Sequence, residues 1–187
     1  LHQPDREQFL QAMKEEVASQ MANNNWQIVK CTDIPIGATI LPAVWAMKCK
    51  RHIHTQEVYH WKVRLNIDGS KQENGVNYWD TYAPVASWPI IRMLLTLSII
   101  NNWHMQQIDF VMAYTQAEAE TDNLYMQVPQ GFEVPGAQKG THVLKILRNI
   151  YGQKQTGQVW NKHLVARLQS ISFQQSKIDE CIFYHGC

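Results

Sequence analysis

The sequence has no apolar run long enough to cross a bilayer. The best candidate, residues 90–100, is interrupted by Arg92, Thr96 and Ser98, and we expect it to form a buried core helix instead. The chain also has no signal peptide, and it begins at Leu1 rather than at an initiator methionine. These features predict a piece of a longer polypeptide that does not associate with a membrane.

The motifs of the commonest nucleotide-binding folds are missing as well, since the sequence contains neither G-x-G-x-x-G nor a P-loop. The four cysteines, at positions 31, 49, 181 and 187, have no C-x-x-C spacing, which indicates reduced thiols in an intracellular protein rather than a zinc site. The net charge is only +1, from 17 basic and 16 acidic residues, which excludes a chain that is cationic all over. Any contact with nucleic acid must therefore come from a local cluster.

The composition, with 45% hydrophobic and 18% charged residues, is typical of a globular rather than a disordered protein, and the elements predicted along the chain make the fold class α+β. Apolar side chains recur every four residues from Phe9 to Met21, which predicts a helix between Asp5 and about residue 22. Two more helices are predicted, one opened by Ser87 and Pro89 and one over residues 154–171. Strands are predicted from short apolar or alternating runs at 26–30, 44–50, 58–65, 103–110, 124–128 and 143–147, and from Ile182 onward.

The segments 44–50 and 58–65 predict a β-hairpin that turns at the polar residues 54–57. It carries basic side chains interleaved with aromatic ones: Lys48, Lys50, Arg51, Lys62 and Arg64 with Trp45, Tyr59 and Trp61. Cations and rings in this arrangement bind phosphates and stack on bases or sugars. A solvated hairpin face with no ligand is the alternative reading of the same pattern.

Asp109 is the most unusual carboxylate in the sequence, because it follows an apolar run and lies between Ile108 and Phe110. Ionising a buried carboxylate is costly unless a cation or hydrogen-bond donors meet it. We expect a buried strand over residues 103–110 to deliver Asp109 to the end of a sheet. The alternative is an Asp that caps the next segment through its own side chain.

Ordered motifs along the chain resemble the reverse transcriptase domain of Ty1/copia-type retrotransposon polyproteins. They are, in chain order, Trp26, residues 62–65, Gly69, Gln72, Gly75, Tyr78, residues 81–85, Ile91-Arg92, Gln107-Ile108-Asp109, Ala113-Tyr114, residues 124–126, residues 129–132, residues 151–155 and Trp160. The match covers nearly the whole chain, and the order and spacing are more specific than any single motif.

The resemblance implies the fingers and a partial palm of a right-hand polymerase. Residues 1–86 would be a fingers-like region with the basic hairpin, and residues 87–187 a partial palm with an interleaved fingers segment that contains Asp109. In the family, the strand that begins at Ile182 continues into a Tyr-x-Asp-Asp hairpin, and this sequence has no such motif. The resemblance therefore implies a domain truncated before that hairpin.

The resemblance also implies roles for individual residues in two-metal nucleotidyl transfer. Asp109 would be the catalytic carboxylate and Mg²⁺ ligand, with the Phe110 backbone carbonyl as a further ligand; two Mg²⁺ ions are implied, with Mn²⁺ as the alternative. The implied nucleotide-binding residues are Lys62, Arg64, Tyr114, Tyr151, Gly152 and Gln155, with Tyr114 under the incoming sugar. The implied nucleic-acid contacts are Lys48, Lys50, Arg51 and Trp61.

The function implied is that of an RNA-directed DNA polymerase fragment, inactive alone because the second set of carboxylates is missing. Its partners would be an RNA template, a DNA primer, deoxynucleoside triphosphates and the rest of the polyprotein, in a cytoplasmic virus-like particle or in the nucleus. Two positions depart from the family: Asp68 replaces a common Lys, and Thr156-Gly157 replaces a common Ala-Pro. A decayed, non-catalytic nucleic-acid-binding remnant is the alternative, and an unrelated α+β domain is a third reading.

Overall fold

The computed structural model describes residues 5–121 and 123–186. The helices are α1 (Arg6–Ala22), α2 (Trp88–Ile100) and α3 (Thr156–Ser170). The strands are β1 (Trp26–Lys30), β2 (Thr39–Leu41), β3 (Ala43–Arg51), β4 (Val58–Ile67), β5 (Leu124–Gln127), β6 (His142–Ile146), β7 (Phe173–Gln175) and β8 (Phe183–His185). The prediction of a mixed α and β chain is confirmed, and most predicted elements lie within two residues of their predicted bounds.

A four-stranded sheet in the order β1-β6-β5-β2 forms the centre of the core. Strand β6 runs antiparallel to β1 and β5, whereas β2 runs parallel to β5. The fully buried side chains Met126, Leu144 and Ile146 come from β5 and β6, which have a neighbouring strand on both sides. Burying such side chains contributes about 1.5–3 kcal/mol each. The sheet is therefore the stable base from which the hairpin and the loops extend.

Strands β3 and β4 form the predicted hairpin as a separate antiparallel pair. Helix α1 packs on one of its faces through Phe9 and Met13, which contact the buried Val63. Glu16 adds a polar connection, since its carboxylate accepts a hydrogen bond of 3.1 Å from the Leu65 backbone N–H. One face of the hairpin is thus covered by α1, and the opposite face is left for solvent or a ligand.

The region from α2 to residue 110 differs most from the sequence prediction. Helix α2 has the predicted bounds, but none of its residues is buried, and Ile99 and Ile100 are 75% and 72% exposed. Residues 103–110, predicted as a buried strand, are irregular and exposed. A strand needs a neighbour to pair its backbone N–H and C=O groups, and no described strand pairs with this segment. Both burial predictions are wrong for the described chain, because the described elements cover these apolar side chains at most partly; Phe110, which contacts Trp160 of α3, is still 45% exposed.

Two further observations concern the cysteines and the length of the helices. Cys31, Cys49 and Cys181 carry free thiols, and Cys187 lies outside the described residues. Within residues 5–121 and 123–186, no helix has the length and hydropathy that a transmembrane helix requires.

Candidate nucleotide and nucleic-acid site

The cross-strand register places four of the predicted cations on one face of the hairpin. Lys48 lies opposite Lys62, Ala46 lies opposite Arg64, and Lys50 lies opposite His60. Because side chains two residues apart share a face of a strand, Lys48, Lys50, Lys62 and Arg64 point away from α1. We call these four residues the cationic face. They line an open groove with a volume of about 670 Å³.

The cationic face is electrostatically unfavourable in the absence of a ligand. Partial burial lowers the pKa of Lys62, and the neighbouring charges of Arg64, Lys50 and Lys48 lower it further. Glu16 acts in the opposite direction, but its carboxylate lies on the side of α1 and also accepts the Leu65 N–H. Cations held this close together gain from an anion that neutralises them, so the face is suited to a polyphosphate.

An aromatic stack connects this face to two distant segments of the chain. The Arg64 guanidinium carbon lies 4.4 Å from the centre of the Tyr151 ring, which is a cation–π contact. The Tyr151 ring in turn contacts Tyr114 edge-to-face, with 5.4 Å between ring centres. Three residues that the resemblance assigns to nucleotide binding are therefore in contact, although nothing in their sequence spacing indicates that they meet.

Gly152 is held where the chain crosses the end of β4. Its φ of +93° is in the region that favours glycine, and a Cβ there would come within 3.0 Å of the Ile67 carbonyl oxygen. A Cβ on Gly69 would collide with the Gly152 carbonyl oxygen in the same way. The Ile67 N–H donates a 2.9 Å hydrogen bond to the Tyr151 carbonyl. The glycines thus allow the close approach that positions Tyr151 against Arg64.

Gln155 has a different environment from its neighbours in the motif. It is only 2% exposed, and its side-chain oxygen accepts a 3.1 Å hydrogen bond from the Gln72 amide. The Gln72 oxygen accepts from the Lys154 backbone N–H at 2.8 Å, and Lys154 Nζ donates to the Gln72 carbonyl at 3.1 Å. In this structure Gln155 joins residues 151–155 to the loop that contains Gln72, and its amide does not face the groove. The sequence motif contained both glutamines but gave no sign that they pair.

Two predicted nucleic-acid contacts are not among the four residues of the cationic face, although Arg51 lines the same groove. Trp61 lies opposite Cys49 in the register and packs among the apolar side chains under α1. Arg51 follows a register shift, and its guanidinium donates a 2.8 Å hydrogen bond to the Gln56 carbonyl, which closes the hairpin loop. Asp68, which departs from the family pattern, accepts hydrogen bonds from the Ser70 hydroxyl and N–H; the hydroxyl contributes most to lowering the Asp68 pKa. Its charge is thereby held within its own turn.

Asp109 is exposed and lies in the irregular segment, not at the end of a strand. Its expected burial is therefore wrong, and the alternative capping role is absent too, because a 3₁₀ turn begins at Ala113 with Met112 as its N-cap. The Phe110 side chain packs edge-to-face on Trp160, with 5.2 Å between ring centres. Asp109 thus remains free to bind a ligand, but the described chain does not fix its orientation.

The described residues do not by themselves fit a two-metal centre. Among residues 5–121 and 123–186, no three His, Cys, Asp or Glu side chains are grouped closely enough to hold a metal ion. Mg²⁺ in such centres is held by several oxygen ligands, whereas Asp109 offers one carboxylate. The cationic face and the aromatic stack are consequently the part of the predicted site that the fold assembles.

Comparison with known proteins gives an independent result. Residues 23–187 match the family model for reverse transcriptase (RNA-dependent DNA polymerase). The retrovirus-related Pol polyprotein from transposon TNT 1-94 of Nicotiana tabacum is 28% identical over 184 residues, which is 98% of this chain and 13% of that protein. The corresponding polyproteins from transposons RE1 and RE2 of Arabidopsis thaliana are each 29% identical over 177 residues, 95% of this chain and 12% of theirs. No solved structure gives a significant match. The chain spans about an eighth of these relatives, and the resemblance to transposon reverse transcriptases is confirmed.

Proposed function

We propose, because this chain belongs to the reverse transcriptase (RNA-dependent DNA polymerase) family, that it binds the incoming nucleotide and the primer–template in a transposon-encoded polymerase. The complete enzyme would copy RNA into DNA. Its further partners would be deoxynucleoside triphosphates and the rest of a Pol polyprotein, in a cytoplasmic virus-like particle or in the nucleus. The chain would supply binding surfaces and one catalytic carboxylate to that enzyme.

The observation that carries the proposal is the contact of Arg64 with Tyr151 and of Tyr151 with Tyr114 beside the cationic face. A triphosphate needs cations, and a guanidinium is suited to bidentate phosphate contacts. A sugar and base pack against aromatic rings, which Tyr114 and Tyr151 supply next to Arg64. The cationic face and the tyrosine rings that adjoin it at Arg64 therefore offer the two kinds of contact that a nucleotide requires.

The proposal includes a division of the chain. Residues 1–86, with the α1-supported hairpin, would act as the fingers that hold the triphosphate. Residues 87–187 would be a partial palm with an interleaved fingers segment. The sequence carries no Tyr-x-Asp-Asp motif, so the proposal assigns none of these residues to that hairpin.

Metal chemistry belongs to the complete enzyme in this proposal. Mg²⁺, or Mn²⁺ as the alternative ion, would stabilise the charge on the reacting phosphate when bound. Asp109 and the Phe110 carbonyl would contribute two oxygen ligands, and residues outside those described would have to contribute more carboxylates. No step through the metal follows from the present residues.

Binding of an RNA template–DNA primer duplex with a fluorescent label tests the proposal. The variant Lys62→Gln/Arg64→Gln should weaken binding about tenfold, and it should flatten the dependence of log K on log salt by about one unit for each phosphate that the variant no longer neutralises. The matched control is Lys14→Gln/Lys177→Gln, which removes the same charge from exposed positions outside the cationic face. If both variants weaken binding equally, the cationic face has no specific role and the proposal is wrong.

A non-catalytic nucleic-acid-binding remnant is the second candidate, and the isolation of Asp109 favours it. Primer extension on an RNA template separates the two. The chain alone should show no Mg²⁺-dependent extension under either function. A longer polypeptide that includes the sequence downstream of Cys187 should extend the primer if the enzyme is intact, whereas failure of that folded, primer-binding polypeptide would support the remnant.

A further inference from the structure

A second cavity lies between α3 and the segment that follows Asp109. It has a volume of about 550 Å³, within the roughly 300–1,000 Å³ typical of small-molecule sites. Trp160, His163 and Arg167 line it from α3, where a spacing of three and four residues places them on one side of the helix. Phe110 and Arg148 line it from the other segments. None of the predictions from sequence gave a role to Arg148, His163 or Arg167.

The charge of this cavity is positive and lacks a carboxylate counterpart. Among the described residues the one ion pair joins Lys162 to Glu120, so neither Arg148 nor Arg167 has a described carboxylate within 4.0 Å. Arg148 donates one hydrogen bond of 3.3 Å to the Gln116 carbonyl, which fixes its guanidinium at the edge of the cavity. Since a guanidinium has five N–H donors, most remain available for an anion.

The same cavity presents a connected aromatic surface. The Trp160 ring stacks on His163, with 5.8 Å between centres and 24° between planes, and meets Phe110 edge-to-face. Met112, which also lines the cavity, has a φ of +51°, an uncommon backbone conformation for a residue that is not glycine. Strained residues of this kind cluster at ligand sites.

We propose that this cavity binds one nucleoside phosphate, with the phosphate on Arg148 and Arg167 and the base against the rings of Trp160 and its neighbours. Guanidinium groups beside aromatic rings form the usual combination for a single-stranded nucleotide. The contacts that define the cavity are independent of the cationic face, whereas the choice of a nucleotide over another aromatic anion rests on the proposed function. The nucleotide has two sources, a residue of a single strand or a free mononucleotide.

Binding of a fluorescein-labelled thymidylate octamer measures the single-strand source, and competition by thymidine monophosphate measures the free source. Arg167→Gln should raise the Kd of the octamer about tenfold, and Trp160→Leu should do the same because it removes the stacking surface. Lys177→Gln removes the same charge from an exposed position outside the cavity, and it should change the Kd less than about twofold. Competition at submillimolar monophosphate assigns the site to free nucleotide, whereas octamer binding without competition assigns it to a strand.

Arg148→Gln is a secondary variant, because loss of the hydrogen bond to Gln116 is expected to lower stability. Arg167 is exposed, and circular dichroism of Arg167→Gln should match the wild type. An octamer that carries 5-iodouracil should crosslink to the peptides with Phe110 or Trp160. Equal effects of Arg167→Gln and Lys177→Gln, or crosslinks confined to other peptides, would overturn the proposal.

The variant Lys62→Gln/Arg64→Gln keeps the two proposals distinguishable. It should weaken binding of the paired primer–template and leave the octamer crosslink to the cavity in place. If octamer binding depends on Lys62 and Arg64 alone, the cavity proposal fails and the proposed function remains. If Lys62→Gln/Arg64→Gln binds the duplex as tightly as the wild type does, while the cavity variants no longer bind the octamer, the proposed function fails and the cavity site remains.

Discussion

The close approach of Gly152 to β4 predicts a large effect from a single methyl group. In Gly152→Ala the new Cβ would lie within 3.0 Å of the Ile67 carbonyl oxygen and 3.2 Å from the Asn66 Cβ. An alanine at φ +93° costs about 1–2 kcal/mol by itself. Moving residues 151–152 away from β4 also breaks the hydrogen bond from the Ile67 N–H to the Tyr151 carbonyl, which costs about 1 kcal/mol.

These effects together lower the free energy of unfolding by about 3 kcal/mol, which is a decrease in Tm of roughly 6–12 °C for a chain of this size. Thermal unfolding followed by circular dichroism measures it. The same displacement separates Tyr151 from Arg64, so nucleotide binding should weaken as well.

Two matched variants divide the effect into its causes. Gly140 has a φ of +85°, and nothing lies within 4 Å of where its Cβ would be. Gly140→Ala therefore measures the cost of the backbone conformation alone. Gly69 does not have a positive φ, but its Cβ would collide with the Gly152 carbonyl oxygen. Gly69→Ala therefore measures the collision alone. If Gly152→Ala destabilises the protein no more than Gly140→Ala, the backbone crossing described here is wrong.

Three further predictions concern the nucleotide site. In a longer polypeptide with polymerase activity, Tyr114→Ala should raise ribonucleotide incorporation relative to deoxyribonucleotide several-fold; unchanged sugar discrimination would remove Tyr114 from the site. In the same longer polypeptide, Asp109→Asn should abolish primer extension. In the present chain it should change the free energy of unfolding by less than about 0.5 kcal/mol, because Asp109 is exposed. A folded variant that extends the primer at a near wild-type rate would exclude Asp109 as a metal ligand. Lys62→Met should raise Tm at neutral pH, because the lowered pKa means that charged Lys62 is less favourable in the folded state than in the unfolded state. As the pH rises from the folded pKa of Lys62 to the ordinary lysine value, the wild type should gain stability relative to Lys62→Met. If the difference in Tm between the two proteins does not change with pH, the charge on Lys62 is not the cause of the difference.

The elements that the sequence predicted correctly are those whose pattern is local. Strand β1 has the predicted bounds, and the hairpin was recognisable because alternating side chains and a polar turn lie within one short stretch. The cationic face followed from that alternation, since Lys62 and Arg64 are two residues apart. The same alternation places Trp61 on the opposite face of the strand from Lys62 and Arg64, so the prediction that all three contact a ligand on one face was inconsistent with it.

The contacts that the sequence could not predict join distant segments. The pairing of Arg64 with Tyr151 depends on the crossing at Gly152, and that of Gln72 with Gln155 depends on the loop that follows β4. For residues 103–110 the sequence predicted a contact that the structure does not contain, because a short apolar run predicts burial without specifying which element covers it. Periodicity describes one surface of an element, whereas burial depends on a second surface that periodicity does not describe.

Helix α2 provides the sharpest test of that distinction. Its sequence predicted a core helix, but Ile99 and Ile100 are 75% and 72% exposed, whereas Ile146 in the central sheet is 1% exposed. Truncating a buried isoleucine to alanine costs about 2–5 kcal/mol because it removes buried surface and leaves a cavity. Truncating an exposed one should change stability by about 0.5 kcal/mol or less.

We therefore expect Ile99→Ala/Ile100→Ala to unfold in denaturant at nearly the wild-type midpoint, and Ile146→Ala to unfold at a much lower one. The substitution is chemically the same at all three positions, and the difference in helix and strand propensity between Ile and Ala is smaller than the effect of burial, so burial accounts for most of the expected difference. A loss of stability in the α2 variant as large as that of Ile146→Ala would mean that α2 is covered in solution and that the sequence prediction was correct. Dependence of that loss on protein concentration would identify the covering surface as another copy of the chain, whereas independence would place it within the same chain.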